Sequence, residues 1–151
     1  MHFFEQIVLN HSLWTAVLGF LVAQLLKVVF VLLTQRRVDF SRLIGAGGMP
    51  SSHASFVTSL GTFVGLEQGF DSALFAVCAV MACIVMYDAS GVRRAAGKQA
   101  ALLNQIIEHW NEEPKLQGER LKELIGHTPF EVIAGAALGI VLAIVMFYLV
   151  F

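Results

Sequence analysis

Four apolar stretches divide the chain, at about residues 12–33, 51–66, 72–88 and 129–150, and the segments between them carry nearly all of the charge. The first is apolar from Ser12 to Leu33 apart from Gln24 and Lys27, long enough as a helix to cross a hydrocarbon core of ~30 Å. Trp14 marks one membrane face of this stretch, and Arg36 and Arg37 mark the other. The second is short and rich in small residues (Ala54, Ser55, Ser59, Gly61, Gly65), which predicts close helix packing. The fourth opens with Thr128 as N-cap, Pro129 at the first helical position and Glu131 just beyond, the pattern of a capping box. Gly135 and Gly139 then supply a close-packing face.

The interruptions have their own character. Residues 1–11 mix Phe3, Phe4 and Ile7 with His2, Glu5 and His11, which suits an interfacial helix. Residues 34–50 form a polar loop with Arg36, Arg37, Asp39 and Arg42, and Glu67–Asp71 is a tight turn. From Asp88 onward a basic segment (Arg93, Arg94, Lys98) leads into Leu102, Leu103, Ile106 and Ile107 and predicts an amphipathic helix. Residues 108–119, His109 included, look like an exposed loop.

Composition turns this pattern into a class. Hydrophobic residues are 57% of the 151, charged residues 14%, and mean hydropathy is +0.73. The expectation is a single all-α domain: a polytopic membrane helical bundle of about four transmembrane helices, plus an amphipathic helix on the cytoplasmic side. A net charge of −1 argues against nucleic acid as a partner. Cys78 and Cys83 share one apolar run without neighbouring metal ligands and read as buried packing residues. The first residues lack a basic start and a cleavage site, so the first apolar run is expected to remain.

Lys and Arg residues occur only at Lys27, within 36–42 and within 93–122, and four spans would place both of those loops on one side. The positive-inside rule makes that side cytoplasmic. The expected location is a bacterial plasma membrane. His53 and His127 each start an outward-running span, so both fall at the cytoplasmic interface.

The candidate chemistry gathers there. Gly47-Gly48-Met49-Pro50-Ser51-Ser52-His53 reads as a glycine-rich turn, a serine-capped helix start and a proton donor. The first N–H groups of such a helix and its dipole attract anions. Lys27 lies inside a span, one turn from Gln24; a snorkelling lysine is the plain alternative, but the pair suits a polar cavity better. Asp88 pairs with Arg93 or caps a turn. The capping box accounts for Glu131 but leaves His127 unexplained.

Pro50-Ser51-Ser52-His53 resembles the Pro-Ser-Gly-His motif of the type 2 phosphatidic acid phosphatase and vanadium haloperoxidase superfamily, and His127-Thr128-Pro129-Phe130-Glu131 resembles its His-x3-Asp motif. With Tyr87–Asn104 between them, these stretches are similar in order to the divergent membrane branch of that superfamily. The resemblance implies a helical, cofactor-free and metal-independent phosphatase acting on lipid phosphates or isoprenyl diphosphates. It implies His127 as nucleophile, Glu131 as its orienting carboxylate and His53 as general acid. Lys27, Ser51 and Ser52 would hold phosphate. Ser52 stands in place of glycine and Glu131 in place of aspartate, no Arg-Pro follows Lys27 at the family's spacing, and Leu121 occupies the position of the third-motif arginine. Arg93, Arg94 or Lys98 is then the substitute cation.

Two functions follow from different classes. One is a membrane phosphatase for a lipid phosphate or isoprenyl (di)phosphate, working through a phosphohistidine at the cytoplasmic face. The other is a non-catalytic phospholipid-binding or lipid-carrier membrane protein of the same fold. Membrane lipids are partners in either case, and homo-oligomer formation stays open.

Overall fold

The structure is a computed structural model that describes residues 2–36, 48–110, 121 and 126–150. Expectations for Arg37, Asp39, Arg42, Gly47 and the loop at 111–119 lie outside these residues, as do the side chains of Gln35, His109 and Trp110. The described residues are helical, with no strand among them: α1 (Phe3–Val8), α2 (His11–Gln35), α3 (Ser52–Gln68), α4 (Ala73–Ser90), α5 (Val92–Trp110) and α6 (Pro129–Leu149). The chain is a membrane protein. Helices α2, α4 (with α5 running on from it) and α6 are each long and apolar enough to span a bilayer. Helix α3 has 17 residues, about 25 Å at 1.5 Å per residue, and sits in the middle of the other three.

Local chemistry explains where the helices start. Ser51 Oγ accepts from Ala54 N–H at α3, and Ser72 Oγ accepts from Phe75 N–H at α4. The capping box at α6 is complete: Thr128 Oγ1 accepts from Glu131 N–H (3.3 Å), and Glu131 Oε2 accepts from Thr128 N–H (2.9 Å).

The contacts set the helix directions. Ser12 Oγ donates to Glu67 Oε2 at one end of α2 and Lys27 Nζ donates to Ser52 Oγ nearer the other, so α2 and α3 are antiparallel. Ser51 N–H donates to Glu131 O, Ser59 Oγ donates to Gly139 O, and Phe63 stacks edge-on with Phe147, so α3 and α6 run parallel. Ala54 packs with Ala89, and Gly61 lies against Cys78, so α4 is antiparallel to α3. The result is an up-down-up-down bundle. The C-terminal end of α2 and the α4–α5 junction with Arg93 and Arg94 lie at the same end as the starts of α3 and α6.

Small residues and hydroxyls bind α3 to its neighbours. Ser55 Oγ donates to Gly19 O at 2.9 Å, and Thr58 Oγ1 lies 3.2 Å from Ala136 O. Such bonds average about 0.6 kcal/mol in a membrane, so their number and the close packing they accompany matter more than any one of them.

Two expectations are corrected. Cys78 is buried, but Cys83 is exposed on the outer surface of α4, where lipid rather than protein would cover an apolar thiol. Residues 108–110 continue helix α5 instead of opening a loop, because the helix-favouring run Leu102–Glu108 has no breaker before Pro114.

Gly135 shows how tight the α3–α6 contact is. A Cβ there would run into the backbone of Ser51, which cannot move aside. Gly135→Ala should cost roughly 1–3 kcal/mol, as overpacking does. A Cβ on Gly61 would meet Cys78 Cβ at an ordinary 3.6 Å, so Gly61→Ala should be near neutral. Unfolding of both variants in detergent measures the contrast.

Candidate functional site

Parallel packing of α3 and α6 puts two helix N-termini side by side. The bond from Ser51 N–H to Glu131 O (3.0 Å) fixes their level, and beneath them Ala54, Ala89 and Val132 form an apolar floor where α3, α4 and α6 meet. Ser51 and Ser52 are buried in the first turn of α3. Both N-termini present N–H dipoles to the same space, an arrangement that favours an anion.

Lys27 enters this space from α2. Its side chain is only 2% exposed, and Nζ donates to Ser52 Oγ at 3.0 Å. The snorkelling alternative is therefore not what the structure shows. Helix α2 continues eight residues past Lys27 to Gln35, about 12 Å at 1.5 Å per residue, so the site is recessed below the end of α2. A cavity of about 150 Å³ opens beside it, lined by Lys27, Phe30, Val31, Thr34, Gly48, Met49 and Glu131. Apolar cavities of that size hold benzene, so there is room here for a phosphate-sized group.

The two histidines meet. Their ring centroids are 6.4 Å apart at 78°, with His53 half-buried and also edge-on to Phe20. His127 is 2% exposed, and neither ring nitrogen has a hydrogen-bond partner among the described residues. Its backbone is held firmly: His127 N–H donates to Ala89 O at 3.0 Å, and Gly126 lies so close to the backbone of Arg93 and Arg94 that a Cβ would clash. Burial pushes the His127 imidazole down to about 4. Lys27 acts in the same direction, Glu131 opposes, and His53 and Arg93 add smaller downward effects. The ring is therefore neutral at pH 7.

The remaining candidates divide. Glu131 is half-buried and lines the cavity, but its Oε2 is engaged by the Thr128 N–H, and no described hydrogen bond joins it to His127. Arg93 sits at the α4–α5 junction, where Nε donates to Asp88 Oδ2. Arg94 contributes backbone beneath Gly126, and Lys98 is exposed a turn farther along α5.

Sequence reasoning offered the Asp88–Arg93 pair as one of two alternatives and gave Asn104 no role. Asp88 forms an ion pair across the helix junction that seats His127; its only signal is an acid closing an apolar span five residues before an arginine. Asn104 is 4% exposed and clamps Leu121, with Nδ2 donating to Leu121 O (2.9 Å) and Oδ1 accepting from Leu121 N–H (3.0 Å). It ties α5 to Leu121, and an asparagine inside an amphipathic helix is its only signal. Among the described residues, no three His, Cys, Asp or Glu side chains gather as a metal site requires.

The sequence profile of the Divergent PAP2 family matches residues 8–142. The chain belongs to that family. This divergent PAP2 protein is also 40% identical over 154 residues to the uncharacterized membrane protein YuiD of Bacillus subtilis (strain 168), covering 95% of this chain and 98% of that one. No solved structure matches it significantly. The matched region of the divergent PAP2 chain includes every residue placed at the site above.

The buried imidazole makes a prediction about acid. Its folded-state value lies below the ordinary 6.5, so as pH falls the unfolded chain takes up the proton first. His127 leaves stability unchanged above about pH 6.5 and lowers it progressively from there to about pH 4. The thermal midpoint of the wild type should drop across that window by more than that of His127→Ala.

Proposed function

We propose that the protein is a membrane phosphohydrolase that cleaves a lipid phosphate or isoprenyl (di)phosphate through a phosphohistidine at His127. One observation carries the reading. A buried, neutral imidazole whose ring nitrogens have no hydrogen-bond partner among the described residues sits beside two adjacent helix N-termini and a buried lysine. Packing alone does not call for that set, whereas phosphoryl transfer uses every member of it.

In this reading Lys27, the Ser51–Ser52 turn and the α6 N-terminus neutralise the non-bridging oxygens. A ring nitrogen of His127 attacks phosphorus, and the bond from phosphorus to the leaving oxygen breaks. The electron pair stays on that oxygen, which takes a proton from His53. Neutral His53 then accepts a proton from water as the water oxygen displaces His127 from phosphorus. Phosphate leaves and the imidazole electron pair returns to His127. Glu131 orients His127 only after turning from its capping bond, so this role requires a rearrangement on substrate binding.

Four passes through the membrane, with the site toward the cytoplasm of a bacterial plasma membrane, complete the reading. The reading is supported by the described basic residues Arg36, Arg93 and Arg94, which lie toward the same end of the bundle as the starts of α3 and α6, and by the positive-inside rule. A non-catalytic phospholipid-binding or carrier role is the second reading. It is favoured by Leu121 at the third-motif arginine position and by the engagement of Glu131 in its cap.

Purified protein should release phosphate from at least one lipid phosphate or isoprenyl diphosphate, with chelator harmless and vanadate inhibitory. Brief exposure to labelled substrate should leave acid-labile, base-stable label on the protein. That label is lost in His127→Ala but survives in part in His53→Ala when the leaving group is good. Label that persists in His127→Ala and vanishes in His53→Ala would reverse the two roles, and tight lipid phosphate binding without any release favours the second reading.

Orientation has a separate test. In a background without Cys78 and Cys83, a cysteine at Asp71 should react with an impermeant reagent added to intact cells, and one at Lys98 should not. The opposite pattern places the site on the outer face.

A further inference from the structure

We propose that Asp88 is a positioning residue that holds Arg93 as the second phosphate-facing cation beside the His53–His127 pair. The proposal rests on the phosphoryl-transfer reading and deepens it: it names the cation and the group that aims it.

The geometry singles out one junction. Helices α4 and α5 are separated by Gly91 alone, and the Asp88 carboxylate reaches across that break to Arg93 Nε. The same junction is the seat of His127, through the Ala89 carbonyl that accepts its N–H and through the Arg93–Arg94 backbone pressed against Gly126. Ala89 also packs on Ala54, the residue after His53. Asp88 and Arg93 therefore stand next to the segments that carry both histidines, and the charges of both act on His53. Arg94 and Lys98 share no such bond with Asp88.

The chemistry needs what this pair supplies. A phosphoryl group in flight carries charge on several oxygens, and Lys27 on α2 approaches them from one side only. Leu121 stands where a guanidinium is expected. Arginine has donors on Nε and on both Nη atoms. An Nε contact to Asp88 leaves the Nη donors for phosphate oxygens, and a fixed guanidinium loses less freedom on binding than a loose one. The ion pair is partly exposed, with side chains 45% (Arg93) and 37% (Asp88) accessible, so it contributes little to stability. Its value lies in placement.

The test uses purified full-length protein in detergent, comparing Asp88→Ala, Arg93→Ala and the double variant by kcat, vanadate inhibition and thermal midpoint. Arg93→Ala should lose roughly 10²-fold or more in kcat, as for removal of a transition-state donor. Asp88→Ala should lose up to about 10²-fold, since a misplacement of about 1 Å can cost that. Vanadate inhibition should weaken in step, thermal midpoints should stay close to wild type, and the double variant should match Arg93→Ala alone because Asp88 acts through Arg93. Where Asp88→Ala does not fold, the same comparison is made with Asp88→Asn, which keeps the shape of the side chain. Near-wild-type turnover and vanadate inhibition in the Asp88 variants, or a double variant that loses the product of the two single losses, overturns the proposal while wild-type activity leaves the phosphatase reading standing. Wild-type protein that neither releases phosphate nor binds vanadate overturns both.

Discussion

The close parallel contact between α3 and α6 is the constraint on which the rest depends. Gly135 lets the backbone of α6 lie against Ser51, and the Ser51 N–H to Glu131 O bond sets the two helix starts level. Lipid tails are as apolar as leucine, so a membrane bundle has little hydrophobic drive to bring helices together. Small residues and interhelical hydroxyl bonds have to do it, and small or hydroxyl-bearing residues make up nearly half of α3, 8 of its 17 residues. Once the two N-termini are aligned, their N–H dipoles point the same way, which is the electrostatic basis of the phosphate-binding role proposed above.

That place explains a costly feature of α2. A lysine within a span is unfavourable by a few kcal/mol on insertion scales, and such residues face the bundle interior and mark function. Lys27 does face inward, and Ser52 Oγ takes one of its donors. Lys27 and Glu131 line the recess, and Ser52 at the start of α3 holds the Lys27 ammonium; the two histidines lie close by but are not among its lining residues. The recess lies below the end of α2, beside Phe30 and Val31, so a phosphate bound there would have an apolar wall next to it.

The histidines depend on different supports. His53 is carried by the first turn of α3 and is placed by helix geometry once Ser51 caps it. His127 precedes its helix, and its position comes from elsewhere: the Ala89 carbonyl that accepts its N–H and the backbone of Arg93 and Arg94 against Gly126. The amphipathic helix α5 thus acts as a brace for the site as well as a surface element.

Much of this was legible in the residues. Long apolar runs and the S-S-H and H-T-P-F-E starts specify helices and their caps through local chemistry, because a cap needs only its own first turn. The meeting of His53 and His127 was legible too, since both begin helices on the basic side. Other features belong to tertiary structure. Whether Lys27 turns inward depends on which face of α2 meets α3, and no local rule states that. The exposure of Cys83 depends on α4 having only one protein-covered side. Helix α3 tolerates Ser52, Ser55, Thr58 and Ser59 because α2 and α6 supply hydrogen-bond partners for them, a condition invisible in a hydropathy pattern. The Thr128–Glu131 cap and the Asp88–Arg93 pair were each readable as local alternatives, and geometry decided between them and their rivals, an orienting bond to His127 and a turn cap. A carboxylate bonds to whichever donor the fold brings nearest, and only packing fixes which donor that is.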